Sequence, residues 1–144
     1  MPLVSVTRLR VRSIRFLPAF ALHFLRARRQ ILSAPGFIEG AVLPDRAWTF
    51  WTLTAWDGQE SMRGYMTSGA HMTVMPRLLD WCDEASVVHW DREEAGLPSW
   101  KEACTRMRRD GRPSSVRNPS PRHAGLNFPQ PRAILAAPLQ PRRR

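Results

Sequence analysis

Hydrophobic and polar positions change period several times along the chain, and each change marks an element. Residues 3–13, LVSVTRLRVRS, alternate: Thr7, Leu9 and Val11 fall on one side and Arg8, Arg10 and Arg12 on the other, the period-two signature of a strand. From residue 17 to 32 the period lengthens. Phe20, Ala21, Phe24, Ala27 and Ile31 recur near helical spacing, Pro18 suits a first turn, and APG at 34–36 ends the run. FIEGAVL at 37–43 predicts a second strand and PDR at 44–46 a turn. AWTFWTLTAW at 47–56, aromatic and β-branched throughout, predicts a third strand. Asp57, with Glu60 three residues on, makes a capping box for a helix ending near residue 68. Ser68 or Thr67 then starts a second helical piece over 70–82 with Pro76 inside it. EASVVHWD at 84–91 is a fourth strand.

The order β-α-β-β-α-β predicts an α+β, ferredoxin-like fold: a four-stranded antiparallel sheet with two helices on one face. This domain spans 1–94, and a short helix at 99–107 occupies the next stretch, 95–107. Residues 108–144 are rich in arginine, hold seven of the thirteen prolines and lack periodicity, which predicts a disordered tail.

Two helices cover one face of such a sheet, yet the third strand is apolar on both. Thr49, Trp51, Leu53 and Ala55 alternate with Trp48, Phe50, Thr52, Thr54 and Trp56. At ~100 Å² per exposed aromatic and ~25 cal/mol per Å², an open second face costs several kcal/mol. A second copy of the chain is the expected cover, giving a closed, barrel-like homodimer with a pocket between sheet and helices in each protomer.

Charge changes this picture little. The net charge of +10 divides into +7 over residues 1–38, which hold no acid, −6 over 39–105 and +9 over 106–144. The tryptophan-rich middle is therefore acidic, and the basicity sits in one end segment and the tail, a distribution that argues against nucleic acid or an anionic membrane as the partner. Cys82 and Cys104 lack CxxC spacing and read as reduced thiols of a cytoplasmic protein. FLPAFALHFL at 16–25 is too short to span a bilayer. No Ser-His-Asp order, phosphate-binding glycine loop, HExxH or clustered Cys/His spacing occurs, which excludes the usual hydrolase, kinase and zinc-enzyme readings.

The combination TFWTLTAW, MTSGAHMTVMP and LLDWCDEASVVHW resembles the dimeric α/β-barrel proteins related to antibiotic-biosynthesis monooxygenases. Within them it is most similar to a bacterial branch of unsettled activity that carries the run SGAH…MP…WCDEAS…HW. The resemblance covers about residues 3–91. It implies a homodimer with one pocket per subunit, and a family whose members oxidise aromatic polyketides without a cofactor, degrade haem or act on carotenoids. Counted from Trp56, the cofactor-facing tryptophan and histidine of the haem-degrading members fall on Tyr65 and Met75. No histidine stands where the iron ligand would be, so haem is disfavoured and no cofactor is expected.

His71 and Met75 share a helix face at i, i+4, a spacing that also suits a His/Met pair on haem iron or copper. His71 and Tyr65 are the candidate catalytic residues, with His71 as base or proton shuttle. Trp51, Trp56 and Met75 are candidate walls for a planar substrate, and His89 is a further candidate there. Arg8 and Arg10, if their strand face is covered, need a partner such as Glu39 or an anionic ligand. Cys82, followed by Asp83 and Glu84, is not expected to be a nucleophile. The resulting expectation is a monooxygenase-like homodimer that oxidises a small aromatic or polyene molecule in a hydrophobic pocket. Its rival is a non-catalytic or stress-associated homodimer that binds a small hydrophobe.

Overall fold

The computed structural model describes residues 2–94 and 96–141. Strand β1 (Leu3–Val11) leads through a single 3₁₀ turn at Ile14–Phe16 into helix α1 (Leu17–Leu32). Strands β2 (Phe37–Asp45) and β3 (Thr49–Trp56) form a hairpin whose turn holds Ala47 and Trp48 at φ 57° and 58°. Helices α2 (Gln59–Met66) and α3 (Gly69–Trp81) follow, then β4 (Cys82–Asp91), helix α4 (Trp100–Asp110) and two short strands, β5 (Arg112–Pro113) and β6 (Ala137–Leu139).

All pairings are antiparallel, and the order is β5-β4-β1-β3-β2-β6. The four long strands thus form the expected core of the α+β fold. The sheet has six strands instead of four because each open edge is lengthened by a piece of the C-terminal segment, which pairs backbone groups that an edge leaves free.

Register decides which side chains meet. Ser5 pairs with Thr54 and Thr7 with Thr52 on one side of β1, while Ser5 also faces His89 and Thr7 faces Val87 on the other. These odd-numbered β1 residues look toward α1, α2 and α3. On that face Leu3, Ile31, Phe37, Trp56 and Met62 make one buried cluster, and Val11, Phe20, Val74, Trp81 and Cys82 another.

Two local expectations need correction. Asp57 does not cap α2, whose N-cap is Gly58 with no side-chain hydrogen bond. The Asp57 amide instead donates to the Gly36 carbonyl at 2.9 Å, and its carboxylate lies against Gly36, where a Cβ would leave no room. The start of α3 is held from outside: the Gln30 side chain on α1 accepts from the His71 amide at 2.9 Å and donates to the Ser68 carbonyl at 2.8 Å. Gly69, at φ 58°, makes this close approach possible, since a Cβ there would come within 3.1 Å of the Gln30 side chain.

The second sheet face is covered, as its apolar character requires, but from within the chain. Helix α4 lays Ala103, Cys104 and Met107 on Val4, Val6, Trp51, Leu53 and Val88, and Phe128 completes this buried cluster. The second copy invoked to cover this face is not what covers it here. Nor is the arginine- and proline-rich segment free: it supplies both edge strands, buries Phe128 and Leu139, and is tied down by the Ser120 amide on the Asp83 carbonyl and by Arg108 on the Phe128 carbonyl. Proline costs it little, because an edge segment needs few amide donors. Residues 142–144 of that tail lie outside the described residues.

Candidate functional site

Between the sheet and helices α1 to α3 lies a cavity of about 150 Å³. Its floor is Ser5, Thr7 and Leu9 of β1, Thr52, Thr54 and Trp56 of β3, and Ala85 and Val87 of β4. Its roof is Phe20, Phe24 and Ile31 of α1, Met62, Tyr65 and Met66 of α2, and His71, Val74, Met75 and Leu78 of α3. Ser114 and Leu139, from the C-terminal segment, close parts of the rim, and Arg28 is the charged residue of the wall.

The α2–α3 corner builds the reactive end. His71 Nδ1 lies 3.1 Å from the Met66 carbonyl, which can only accept, so Nδ1 carries the hydrogen and Nε2 keeps its lone pair. Burial lowers the His71 pKa and the Met66 contact only partly offsets this, so the ring is neutral at pH 7. Tyr65 packs beside it with the rings tilted by 53° and their centroids 4.9 Å apart, and Trp56 lies 5.4 Å beyond Tyr65. The Tyr65 hydroxyl donates to the Ala27 carbonyl at 3.3 Å, and burial raises its pKa, so the phenol stays protonated. In this geometry His71 can take a proton, whereas Tyr65 packs and positions it.

His71, Tyr65, Trp56 and Met75 therefore meet in one cavity, and the other candidates do not join them. Trp51 points to the far face, edge-on to Phe128 at 5.5 Å, because β3 parity separates it from Trp56 by an odd number of residues. Arg8 lies on that far face as well, 4% exposed, with Nη1 2.7 Å from Glu84. Arg10 reaches Glu84 at 2.9 Å and Asp83 at 3.4 Å. The expected partner Glu39 is replaced by these acids because β4 is the strand beside β1 on that side. Burial pushes the Glu84 carboxyl up, but the hydrogen bonds from Arg8 and Arg10 outweigh it and hold the pKa below its ordinary value. His89 is on the helix face opposite Ser5 but outside the cavity wall, with Nδ1 buried and unpartnered among the described residues. The Cys82 thiol is pushed up to about 12, by burial first and then by Asp83, which makes it a poor nucleophile.

Sequence reasoning missed His23, which lines the cavity from α1. Its Nε2 accepts from Arg77 Nη1 at 3.3 Å and its ring lies 5.5 Å from Trp81. Burial, then Arg77 and Arg26, lower its pKa, so this histidine too is neutral. Its spacing of three from Phe20 and four from Ala27 carries the signal. The hydroxyls of the floor were missed as well, because Thr7, Thr52 and Thr54 read equally well as strand formers.

Haem does not fit this site. His71 and Met75 both reach the wall, but about 150 Å³ is well under the roughly 300–1,000 Å³ of sites for drug-sized ligands, and a haem is larger than most of those. Among the described residues no three His, Cys, Asp or Glu side chains gather where they would hold a metal ion.

Residues 28–113 match the family described as a domain of unknown function, DUF3291. The chain belongs to the DUF3291 family. No curated protein matches it. Solved structures that share the fold include SnoaB, a cofactor-independent oxygenase of Streptomyces nogalater, at TM-score 0.55 and 16% identity, covering 68% of this chain and 98% of that one. Rv0793 of Mycobacterium tuberculosis matches at TM-score 0.59 and 10% identity, covering 67% and 100%. A Nitrosomonas europaea protein provisionally assigned as an antibiotic biosynthesis monooxygenase matches at TM-score 0.58 and 15% identity, covering 65% and 92%. Identities this low establish a common α+β fold and leave the chemistry to the site. In each case about a third of the DUF3291 chain lies outside the match. Among the described residues no helix is long and apolar enough to cross a membrane.

Proposed function

We propose that this DUF3291 protein is a monooxygenase-like enzyme that oxidises a small aromatic or polyene molecule without a cofactor. The observation that carries this reading is His71: a neutral imidazole, fixed through Nδ1, with no partner on Nε2 among the described residues, in the wall of an otherwise largely apolar cavity. A substrate whose ring carbon is acidified by a neighbouring oxygen function loses a proton to Nε2. The resulting anion gives an electron to dioxygen from solution. A ring CH₂ then becomes a carbonyl with one oxygen atom, and the other leaves with the two hydrogens as water. The protein contributes desolvation, orientation and the base. The fold shared with a cofactor-independent oxygenase supports the same reading.

Oxygen uptake with a panel of small quinols and cyclic enols tests it. Wild-type protein is expected to consume oxygen, and His71→Ala to lose about 10²–10⁴-fold in rate, the usual weight of a positioned base. The acid limb of the rate profile should lie below pH 6.5, because the His71 pKa is lowered from that value. Binding without uptake by either protein would favour the second reading, a non-catalytic carrier of a small hydrophobe, for which the apolar roof of the cavity speaks.

A further inference from the structure

The floor and roof of the cavity differ in kind. The roof is mostly aromatic and aliphatic, while the centre of the floor is four hydroxyls: the cross-strand pairs Ser5–Thr54 and Thr7–Thr52. Thr54 is engaged, since its Oγ1 accepts from Trp56 Nε1 at 3.0 Å and donates to the Ser5 carbonyl at 3.4 Å. Among the described residues the hydroxyls of Ser5, Thr7 and Thr52 have no protein partner, and none is sealed off from a water-sized molecule. The fold does not require them. Valine has the shape of threonine and would pack under an apolar roof without asking for a hydrogen-bond partner.

We infer that Ser5, Thr7 and Thr52 form the polar side of a ligand site and determine its specificity: the ligand is a single-ring molecule that lays an oxygen-bearing edge on the sheet and its apolar remainder under the helices. Volume sets the ring number. A cavity of about 150 Å³ is the size that takes up one benzene, so one ring fills it and any further ring would extend through its open side. Chemistry sets the edge. Hydroxyls both donate and accept, so they read phenol, enol and carbonyl oxygens alike, and the floor holds no carboxylate that would ask for a cation. The inference rests on the reading of the cavity as a substrate site, and names what that site selects.

Anaerobic binding of 4-methylphenol and toluene, which differ by one oxygen atom, tests it by calorimetry without turnover. Wild-type protein is expected to bind 4-methylphenol at least about tenfold tighter than toluene, the worth of one good hydrogen bond to a waiting partner. The isosteric double variant Thr7→Val/Thr52→Val should lose that preference while keeping its affinity for toluene, which also shows that it is folded. Ser5→Ala should weaken the preference in part. Equal affinities in the wild type, no binding of either compound, or a preference that survives in the double variant overturns the proposal. A preference present without oxygen uptake on any panel compound upholds the hydroxyl floor and removes the oxygenase reading. Oxygen uptake with no preference removes the floor alone.

Discussion

The two faces of one sheet solve opposite problems. On the far face α4 and Phe128 close directly on Val4, Val6, Trp51 and Leu53, and the charges there pair within the chain, Arg8 with Glu84 and Arg10 with Glu84 and Asp83. That closure leaves Arg8 Nε, Trp51 Nε1 and Asp83 Oδ1 buried without a partner among the described residues. On the near face three helices stand off the sheet, leaving a cavity with histidines and hydroxyls that have spare hydrogen-bonding capacity. A protein needs a sealed face for stability and an imperfectly sealed one for chemistry. Here the same four strands supply both, separated only by side-chain parity.

The sharpest way to break this division is to unpair the sealed face. Glu84→Ala leaves Arg8 buried beside Phe128 without its carboxylate, and is expected to lower unfolding stability by about 3–5 kcal/mol in urea titration. A loss under about 1 kcal/mol, the range of an exposed pair, would show that water reaches the far face and that the two sides are not so different.

Acid should separate the faces without any mutation. The near-face histidines, His23, His71 and His89, have folded pKa values lowered from 6.5, so the unfolded chain takes up their protons first and stability begins to fall as pH drops through 6.5. Glu84 has a folded pKa lowered from 4.5, so its contribution is complete above that value and disappears as pH falls below it. Two successive losses are expected in thermal melts taken between pH 8 and pH 3. Glu84→Gln should remove part of the second and leave the first.

The smallest effect belongs to the roof. Met75→Leu conserves apolar volume beside a space that is already empty, and should change stability by less than about 1.5 kcal/mol while altering ligand affinity. A large loss of stability would mean that the roof is packed as tightly as α4.

What was legible in the sequence follows from the range of the interactions. Alternation in β1 and β3 and helical spacing in α1 and α3 are local, and they put His71 and Met75 on one helix face. The reading of Trp51 and Trp56 as walls of one pocket fails, because the same alternation sends them to opposite faces. Sequence also showed that the far face must be covered, because Trp51 and Trp56 on one strand cannot both turn away from water. Which object covers it depends on pairings far apart in the chain. The stripe Trp100, Ala103, Cys104 and Met107, at i, i+3, i+4 and i+7, marks an amphipathic helix in search of a sheet. Averaging composition over the last third hid that Phe128 and Leu139 need only two anchor points. Arg8 and Glu84 are 76 residues apart, and neither carries a mark that names the other.

The C-terminal segment touches both compartments. It sends Phe128 into the sealed side, and Ser114 and Leu139 to the rim of the open one. Losing the residues from Arg112 onward would therefore strip Phe128 from the one compartment and Ser114 and Leu139 from the other in a single cut.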